Sequence, residues 1–407
     1  MVGLAKAGAG ICAGADGAGT VGLPPGQSSS ASVLSIDSKQ PILPIFMNTS
    51  LNWGILGTGR IAGVFARALA HSRTGRLAAV GSRSPEKAGA FVQEFAGAAA
   101  HGGYGALIAD PAVQAVYLAT PHPDHAAWAI RAAEAGKHVL CEKPLGLNLA
   151  EATAVAAACR GHGVLLMEGF MYRFHPQTAK IVALVRGGAL GTVGLVQAAY
   201  GFAAAYAPGH RKWADHFGGG GILDVGCYTV SFARLIAGAA GSPPASGADQ
   251  AWPFADPEAV TGAGYLHPAE GTDSYAAATL KFPGGLVAQV ACGVGLQQDN
   301  AARIYGTAGW LHVPAPWILH RDGGPSKLYL HRPGAPAPEE IVVECPDRVY
   351  ALEADAFAAA VARGAREVPE MPVADTLGNM AALDAWRAAI GLVYQKEKPE
   401  DGTRLQA

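Results

Sequence analysis

The amino-acid sequence predicts an α/β fold: a doubly wound domain with a parallel sheet, followed by a second α/β domain with a large, mostly antiparallel, open-faced sheet. From Leu51 onward, short apolar runs alternate with Ala-rich helical stretches, which is typical of βαβ units. Beyond about Leu165 the apolar runs become longer and alternate with polar residues, as in a sheet with one exposed face. The length of 407 residues favours two cores over one.

Three segments are predicted along the chain. Residues 1–46 are rich in Gly, Ala, Ser and Pro and lack helical or strand periodicity, so we expect a disordered extension. Met47 stands directly before the first strong strand and is a candidate natural start, with the upstream stretch either a mis-called extension or a linker. Residues 47–168 form the predicted doubly wound domain, and residues 169–400 form the second domain.

The elements of the doubly wound domain follow from periodicity and capping. The predicted strands are WGILG, RLAAVGS, AVQAVYLAT and HVLCEKP, and the helices between them are RIAGVFARALAHS, SPEKAGAFVQEFA and HAAWAIRAAEAG. Ser84 is the expected cap of the second helix, with Pro85 at its first position, and a further helix opens near Asn148. Strands and helices therefore alternate regularly throughout this domain.

The second domain is predicted from strand-like runs closed by two helices. The runs are GTVGLVQAAYGF, DSYAAATLKF, GGLVAQVACGVG, ARIYGTAGWLHV and KLYLHR. The stretch GAAGSPPASGADQAWPFADPEAV is expected to be a loop because it is rich in Pro and Gly. LEADAFAAAVARG and VADTLGNMAALDAWRAAIGLVYQ are the predicted closing helices.

Composition and charge exclude several classes of protein. A net charge of -2 gives no electrostatic field that favours nucleic acid or an anionic membrane. The sequence also contains no uninterrupted run of about 18 apolar residues, the length needed to span a bilayer. Lys6 is the lone basic residue before a glycine-broken stretch, so no secretory signal is expected. Scattered cysteines without a C-x-x-C pair predict reduced thiols in a cytoplasm and no metal site; they are Cys12, Cys141, Cys159, Cys227, Cys292 and Cys345.

A glycine-rich loop follows the first strand and opens the first helix. Its G-x-G-x-x-A pattern lets the backbone approach a pyrophosphate at the N-terminus of a helix, which carries partial positive charge. A tight turn alone would also account for two glycines, but the strand before and the helix after favour a dinucleotide site. The motif residues are Gly57, Thr58, Gly59, Arg60, Ile61 and Ala62.

The end of the second strand indicates which dinucleotide is bound. NAD sites usually carry an acidic residue there for the ribose 2′-hydroxyl. This chain has Ser82, Arg83 and Ser84 instead, and an arginine matches a 2′-phosphate through its planar set of donors. We therefore predict NADP(H), with NAD(H) as the alternative if Arg83 is merely a solvated surface residue.

Three residues suggest acid-base chemistry. Lys143 follows the strand HVLCE, at the carboxyl edge of the sheet where ligands of doubly wound folds bind. Asp224 and Tyr228 are four residues apart in GGGGILDVGCYTV, and we expect them on one face of one helical turn. A lysine ammonium beside the phenol would favour the phenolate, so Tyr228 is expected to serve as a base.

Four blocks of this sequence resemble the glucose-fructose oxidoreductase and inositol dehydrogenase (Gfo/Idh/MocA) family. They are most similar to its branch of dimeric dihydrodiol dehydrogenases and NADP-dependent D-xylose dehydrogenases. The blocks are GILGTGRIA, ATPHPDHAAWAIRAAEAGKHVLCEKPLGLN, LLMEGFMYRFHPQ and GGGGILDVGCYTV. The resemblance implies a Rossmann domain, an open-faced α/β domain and a homodimer or homotetramer formed through the second sheet.

The resemblance also assigns roles to residues. It implies that Lys143 and Tyr228 are the catalytic pair with Asp224 as their partner, and tyrosine in place of the histidine of many inositol dehydrogenases favours sugar and diol substrates. Residues implied to border the cofactor are Thr120, Pro121, His122, His125, Glu142 and Lys143. Residues implied to approach the substrate are Met171, Tyr172, Arg173 and Phe174, with Trp213 and His216 as further candidates.

The predicted reaction is hydride transfer between NADP⁺ and C1 of an aldopyranose of the D-xylose or D-glucose type. Several alternatives remain open at this stage. Oxidation of a trans-dihydrodiol or reduction of a dicarbonyl would use the same residues. Two further hypotheses place the protein in other functional classes: a non-catalytic sensor that binds NADP, and a nicotinamide-dependent glycoside hydrolase. The site residues have structural alternatives as well: a helix cap or an exposed position for the two histidines, core packing for three residues and surface packing for two. In that order they are His122 and His125; Met171, Tyr172 and Phe174; and Trp213 and His216.

Overall fold

A computed structural model describes residues 50–242, 251–319 and 321–398. The predicted extension at residues 1–46 and Met47 lie outside these described residues. Both sheets belong to one compact unit, Thr49–Ala407. The first sheet ends at Gly169 and the second begins at Val193, while the division at residue 168 into two domains stays a prediction.

The first sheet has six parallel strands in the order β3-β2-β1-β4-β5-β6. All neighbouring pairs run parallel, and this order is the one expected of a doubly wound dinucleotide-binding fold. The prediction of a parallel sheet is therefore confirmed. The strands are β1 Leu51–Leu56, β2 Gly75–Gly81, β3 Ala99–His101, β4 Ala115–Leu118, β5 His138–Glu142 and β6 Leu166–Gly169.

Five α-helices connect these strands, and two begin at the predicted caps. The Ser84 side chain accepts a hydrogen bond from the backbone N–H of Lys87, and Asn148 accepts one from Glu151. These caps satisfy N–H groups that the first turn of a helix cannot. The helices are α1 Arg60–Leu69, α2 Pro85–Val92, α3 Tyr104–Ala109, α4 His122–Glu134 and α5 Leu149–Gly161.

The second sheet has eight strands in the order β14-β13-β12-β11-β7-β10-β9-β8. Only β10 and β7 pair in parallel, so the sheet is mostly antiparallel, as predicted. The strands are β7 Val193–Gly201, β8 Ala259–Leu266, β9 Asp273–Lys281, β10 Val287–Gly293, β11 Ala302–Gly306, β12 Gly309–Val313, β13 Ser326–His331 and β14 Glu339–Val343.

Helices cover one face of the second sheet and leave the other open. Along β9, buried and exposed residues alternate, which is the pattern of a strand with one solvated face. The apolar face packs against α7 and α9, while α6 packs beside α7. The remaining helices are α6 Pro176–Arg186, α7 Cys227–Ala240, α8 Val349–Ala362 and α9 Val373–Ala389, with a π-helix at Ile222–Gly226.

The chain returns from the second sheet to the first through α8. Asp355 of this helix accepts hydrogen bonds from the backbone N–H groups of Arg73 and Thr74, at 3.0 and 3.1 Å. Phe357 of the same helix packs against Trp53 of β1, with ring centroids 5.0 Å apart. These contacts fix α8 against the first sheet.

The sequence pattern did not predict several elements, among them β3, β6, α3, α6 and the two edge strands of the second sheet. Strand β8 contains Gly262 and Gly264 and is largely exposed, so it lacks the alternation of apolar residues that marks a half-buried strand. Strand β14, at the opposite edge, is exposed along most of its length. An edge strand makes contacts on one side only, which weakens its sequence signal.

One helical stretch in the described residues, Asp215–Ala240, is long and apolar enough to cross a membrane by length and composition. Of its most apolar window, 94% is buried inside the protein. It contains the π-helix and α7, which pack between the second sheet and α9. This stretch is thus a core helix of the fold.

Candidate active site

A cavity of about 1260 Å³ lies between the carboxyl edge of the first sheet and the π-helix. One end is formed by the loop after β1 and the end of β2, and the other by Lys143, Asp224 and Tyr228. Ligands of doubly wound folds bind where the strand order reverses, here between β1 and β4. Loops that follow these two strands, at Gly57 and Thr120, both line the cavity.

The loop after β1 has the geometry of a phosphate cradle. Gly57 has a φ of 112°, and a Cβ there would lie 2.9 Å from the carbonyl oxygen of Ala119. A Cβ on Gly59 would meet open space, and α1 begins after it with no side-chain cap. The first N–H groups of α1 are thus free for an anionic group, and the residues present fit the pyrophosphate of a dinucleotide.

The end of β2 supplies the residues predicted for the 2′-phosphate. Ser82, Arg83, Ser84 and Lys87 all line the cavity at this end. The nearby Glu86 is held by the Ser84 hydroxyl at 2.6 Å, and this hydrogen bond lowers the pKa of its carboxyl group. The acidic residue is therefore engaged in the cap of α2, and the cationic Arg83 and Lys87 favour a phosphate.

We expect Arg83→Ala to raise the KM for NADP⁺ about 10- to 100-fold, because a charge-assisted contact to the 2′-phosphate is lost. The KM for NAD⁺, which lacks this phosphate, should change little. Steady-state kinetics with both cofactors measure the ratio. Arg76→Ala, which removes an exposed arginine from β2, the strand that precedes Arg83, is the matched control. An equal loss with both cofactors would show that Arg83 does not read the 2′-phosphate.

Residues after β4 line the middle of the cavity, as predicted. The buried ring of His125 lies between two backbone carbonyl oxygens, 2.9 Å from that of Thr120 and 2.7 Å from that of Pro144. It thereby connects the loops that follow β4 and β5. His122 is half-buried, and burial together with His125 and Lys143 lowers its pKa to about 3. His122 is therefore neutral at pH 7.

Lys143 is the centre of the opposite end of the cavity. Its Nζ donates a hydrogen bond of 2.6 Å to the backbone carbonyl of Asp224 and lies 3.7 Å from the Asp224 carboxylate. The same atom lies 5.1 Å from the centre of the Tyr228 ring. The structure thus brings together the three residues that the sequence nominated for acid-base chemistry.

Asp224 and Tyr228 do not share one turn of an α-helix, and that part of the prediction is wrong. Asp224 lies in the π-helix Ile222–Gly226, and α7 begins only at Cys227. A π-helix closes its hydrogen bonds over five residues instead of four and is frequent at functional sites. The wider turn carries the Asp224 carbonyl to Lys143 while Tyr228 packs against Met171, with its Oη 3.5 Å from the sulfur.

The protonation of Tyr228 also differs from the prediction. Burial raises the pKa of its phenol well above the usual value, so it is a neutral phenol at pH 7 and not the expected phenolate. Burial opposes the charge on Lys143, but its acidic neighbours, Cys227 and Asp224 first, raise its pKa. Burial opposes the charge on Asp224 as well, yet the ammonium of Lys143 lowers its pKa. The cluster therefore combines an ammonium, a carboxylate and a proton-bearing phenol.

Asp273 holds the first turn of the π-helix. Its fully buried carboxylate accepts a hydrogen bond of 2.8 Å from the backbone N–H of Ile222. A Cβ on Gly221 would lie 3.1 Å from the same carboxylate and 3.0 Å from the Cα of Gly293, so a larger residue would crowd this contact. Burial raises the pKa of Asp273 to about 7.

This raised pKa predicts a pH dependence of stability. Between about pH 4 and pH 7 the folded state holds a proton on Asp273 that the unfolded state has lost, so stability falls as pH rises through this window. The asparagine of the Asp273→Asn variant is neutral in the folded and the unfolded state, so its stability lacks this pH dependence. The melting temperature of the variant relative to wild type should therefore rise from about pH 5 to about pH 8. Thermal unfolding measured across this pH range tests the prediction, with Glu134→Gln, at an exposed position, as the control. The same change of melting temperature with pH in Asp273→Asn and in wild type would contradict it.

Tyr172 and Arg173 are not in the cavity, and their prediction as substrate contacts is wrong. Arg173 has no exposed surface, donates to the Tyr172 hydroxyl at 2.9 Å and forms an ion pair of 2.9 Å with Asp375 of α9. A cation can be buried only when it is paired in this way. The Tyr172 hydroxyl in turn bonds to Ser231 of α7, so the pair belongs to the core.

Arg173→Met should lower the free energy of unfolding by about 3–5 kcal/mol, because it leaves Asp375 with less compensation in the core. The KM of the folded enzyme should not change. Urea unfolding and steady-state kinetics separate the two effects, and the exposed Arg160→Met is the matched control. A raised KM with unchanged stability would restore Arg173 as a substrate contact.

The other predicted residues divide between cavity and core. Met171 and Glu142 line the cavity, where Glu142 accepts a hydrogen bond from the buried Tyr117. Trp213 and His216 are not among the lining residues, although the neighbouring Phe217 is. The Trp213 indole is buried and donates to the carbonyl of Ala205 at 3.2 Å. Phe174 is half-buried and packs against the core.

The sequence reasoning missed the cavity residues that come from the second sheet, its loops and α8. They lie far apart in the chain, with Tyr200 in β7, Tyr350 in α8 and the others between elements, so no local pattern showed that they meet at one cavity. Their basic and aromatic character is the one signal that could have drawn attention to them. They include Tyr200, Phe202, Arg211, Lys212, Asn300, Ile318, Arg321 and Tyr350.

Comparison with known proteins now identifies the class. Residues 51–170 match the GFO/IDH/MocA oxidoreductase family with its NAD-binding Rossmann fold, and residues 178–312 match the C-terminal domain of that family. The trans-1,2-dihydrobenzene-1,2-diol dehydrogenase of Mus musculus is 30% identical over 355 residues, which cover 86% of this chain and 99% of the mouse protein. The enzyme of the same name from Danio rerio is 31% identical, with the same coverage.

Solved structures agree with this relationship. A 3-ketoreductase from Actinomadura kijaniata in complex with NADP and TDP-benzene is 28% identical, with a TM-score of 0.74, over 84% of this chain and 98% of that one. An aldose-aldose oxidoreductase from Caulobacter crescentus is 27% identical, with a TM-score of 0.72, over 84% and 97%. The chain belongs to the GFO/IDH/MocA oxidoreductase family, and the family resemblance of the sequence is confirmed.

Proposed function

We propose that this protein is an NADP(H)-dependent oxidoreductase that interconverts a CH–OH group and a carbonyl group, with Lys143 and Tyr228 as its acid-base pair. The observation that carries the proposal is the arrangement at the two ends of one cavity. An uncapped helix N-terminus with Arg83 nearby lies at one end, and the Lys143–Asp224 pair beside the Tyr228 phenol lies at the other.

The cofactor assignment rests on the fit of the cavity and on relatives that bind NADP. Gly57, Thr58, Gly59, Arg60 and Ile61 would hold the pyrophosphate, with Ser82 and Arg83 at the 2′-phosphate. Thr120, Pro121, His122, His125 and Glu142 would border the nicotinamide half. Bound NADP(H) supplies the hydride acceptor or donor, which no side chain can provide.

The residues at the catalytic end orient the substrate and move one proton. The Tyr228 phenol hydrogen-bonds to the reacting oxygen of the substrate. Lys143 places a positive charge beside this oxygen, which stabilises negative charge that develops there. Asp224 fixes the Lys143 ammonium through its backbone carbonyl and its carboxylate. Met171 packs against the phenol and restricts its orientation.

The protonation states favour proton donation by the free enzyme. A neutral phenol beside an ammonium can give a proton to a carbonyl oxygen as hydride reaches the carbon, which is the reductive direction. In the oxidative direction the same phenol must first lose its proton and then act as a base. The positive charge of Lys143 lowers the free energy needed to form this phenolate. We therefore expect carbonyl reduction with NADPH to be fast at neutral pH and alcohol oxidation to accelerate as pH rises.

The proposed substrate is an aldopyranose that reacts at C1 and gives a lactone on oxidation. The relative named as an aldose-aldose oxidoreductase supports a sugar. Tyr200, Phe202 and Phe217 supply apolar ring faces along the cavity, and such faces suit the C–H surface of a pyranose.

A trans-dihydrodiol or dicarbonyl substrate is the second candidate. Relatives named trans-1,2-dihydrobenzene-1,2-diol dehydrogenase align over 99% of their length, and the aromatic lining would also accept a flat carbocycle. The catalytic residues would act in the same way on either substrate. The choice between the two depends on the polar groups of the pocket.

Absorbance at 340 nm with NADP⁺ against D-xylose, D-glucose, L-arabinose, myo-inositol and a trans-dihydrodiol tests the proposed function. NADP⁺-dependent turnover of an aldopyranose is the expected result. Turnover of the dihydrodiol alone would move the assignment to the second candidate. Tight NADPH binding without turnover in either direction would indicate a sensor, and release of a free sugar from a glycoside without net change in absorbance would indicate a hydrolase.

Location and assembly follow as further parts of the proposal. The five cysteines in the described residues are buried and unpaired, which suits a reducing cytoplasm. Small residues line the open face of the second sheet, among them Ala199, Ala277 and Ala291. This face would allow a second copy of the chain to pack closely, as a homodimer or homotetramer. Sedimentation equilibrium measures the oligomeric state.

A further inference from the structure

Three basic side chains at the catalytic end of the cavity have no strong acidic partner. Arg211 and Lys212 follow β7, and Arg321 lies between β12 and β13. Within the described parts of the chain, none of the three side chains donates a hydrogen bond to a protein acceptor, and the Arg321 Nε is buried without a partner. A buried donor without a protein partner is costly, so it calls for a partner from outside the chain, such as a water molecule, an ion or a ligand.

The phosphates of the cofactor do not account for these cations. Its 2′-phosphate and pyrophosphate are matched by Arg60, Arg83, Lys87 and the N-terminus of α1, all at the far end of the cavity. The carboxylates that line the described cavity are Glu142 and Asp224. Glu142 is engaged by Tyr117, and Asp224 pairs with Lys143, so a surplus of positive charge remains at the catalytic end.

The surplus charge surrounds the reacting groups. The Arg211 Nη1 lies 4.0 Å from the Asp224 carboxylate, and both Arg211 and Lys212 contribute to its lowered pKa. Tyr200 packs edge-on to Tyr228 at 5.5 Å, and Arg321 is near enough to counteract the rise in the pKa of Tyr200. All three cations are therefore within reach of a substrate that contacts Tyr228.

The cations are also partly held in place. The Lys212 Nζ lies 4.3 Å above the ring of Phe202, a cation–π contact that orients the ammonium and leaves its charge unneutralised. An arginine offers a planar pair of donors that matches a carboxylate or a phosphate, and lysine binds either as a point charge. A neutral sugar has no carboxylate or phosphate, so it would leave these donors without a matching acceptor.

We propose that the substrate carries an anionic group, a carboxylate or a phosphate, which Arg211, Lys212 and Arg321 bind while its CH–OH or carbonyl carbon faces Tyr228. The inference rests on the proposed function, because it names the substrate class of the same site. It favours an acidic or phosphorylated sugar over a neutral aldopyranose and over an uncharged dihydrodiol.

Binding to the preformed enzyme–NADPH complex tests the inference without requiring turnover. D-glucose, D-glucuronate and D-glucose 6-phosphate share the C1 group and differ at C6, and the change in NADPH fluorescence gives the Kd of each. At least one of the two anionic sugars should bind about 10- to 100-fold more tightly than D-glucose, since charge-assisted hydrogen bonds are gained. Which one binds distinguishes a carboxylate subsite from a phosphate subsite.

Charge-removing variants locate the effect. Arg211→Met, Lys212→Met and Arg321→Met should each reduce the preference for the anionic sugar about tenfold, while the Kd for D-glucose stays within a factor of about two. Arg160→Met, an exposed arginine on α5, is the matched control and should change neither value. Binding of NADPH itself verifies that each variant folds.

Two results would overturn the inference: D-glucose binding as tightly as both anionic sugars, or a preference that persists in all three variants. The outcome is separable from that of the proposed function. A strong anionic preference without hydride transfer would sustain the subsite and refute the oxidoreductase assignment. Turnover of D-glucose with no anionic preference would sustain the oxidoreductase and refute the subsite.

Discussion

Lys143→Met is expected to lower kcat about 10³-fold, within the range of about 10²–10⁴ for the loss of a positioned acid-base group. Methionine preserves most of the side-chain volume but removes the charge that lies 5.1 Å from the Tyr228 ring. The charge that develops on the substrate oxygen then loses its counterion, and the Asp224 carbonyl loses its 2.6 Å hydrogen bond.

This loss should appear in kcat more than in cofactor binding, because Lys143 follows β5, which is two strands away from the β1 strand that leads into the phosphate loop. NADPH fluorescence titration and far-ultraviolet circular dichroism check that the variant binds cofactor and folds. Lys180→Met removes an exposed lysine from α6 and serves as the matched control. Near-normal turnover in Lys143→Met would remove this residue from the catalytic machinery.

Tyr228→Phe is expected to lower kcat in carbonyl reduction about 10²- to 10⁴-fold, since it deletes the proton donor and little else. The phenyl ring keeps its packing against Phe170 and Tyr200, with ring centroids 5.2 and 5.5 Å from Tyr228. Stability should therefore change far less than turnover does. Tyr265→Phe, an exposed tyrosine on the second sheet, is the control.

The pH profile gives a second readout for Tyr228. Because burial raises the pKa of this phenol well above its usual value, kcat/KM for reduction should stay flat from about pH 6 to about pH 9. A free-enzyme phenolate would instead make reduction fall as pH rises within that range. A decline centred near neutral pH would show that another group donates the proton.

The parallel half of the fold could be predicted because its signals are local. A G-x-G-x-x-A pattern between a strand and a helix places Gly57 and Gly59 at the carboxyl edge of the sheet whatever the rest of the chain does. Lys143 follows β5 at the same edge for the same reason. Ser84 and Asn148 cap their helices through contacts within three residues, which the sequence displays directly.

The errors concern contacts that no local pattern encodes. Arg173 stands in a loop-like run that suggested a ligand, but its partner Asp375 lies about two hundred residues later, on a helix that only the tertiary fold brings near. The spacing of Asp224 and Tyr228 indicated an α-helical turn, but Asp224 lies in a π-helix. The buried carboxylate of Asp273, far away in the sequence, accepts a hydrogen bond from the first N–H of that π-helix. Arg211 and Arg321 meet at the cavity from separate loops of the second sheet.

These differences have a common physical cause. Periodicity reports which face of an element is buried, and a capping residue reports where a helix begins. Neither signal reports which charge a buried cation will meet or which loops will converge on a cavity. Those contacts decide the electrostatics of this site, where Lys143 pairs with Asp224 and further basic residues line the same cavity.

Transfer of deuterium from C1 of a sugar to the cofactor tests the central claim most directly. The enzyme would be incubated with NADP⁺ and sugars deuterated at C1, D-glucose, D-glucuronate and D-glucose 6-phosphate, and the NADPH would be analysed by mass spectrometry. The account predicts that the NADPH carries the deuterium and that the sugar is recovered as its lactone or acid. NADPH without deuterium, or deuterium lost to solvent or retained on unreacted sugar, would contradict hydride transfer from C1.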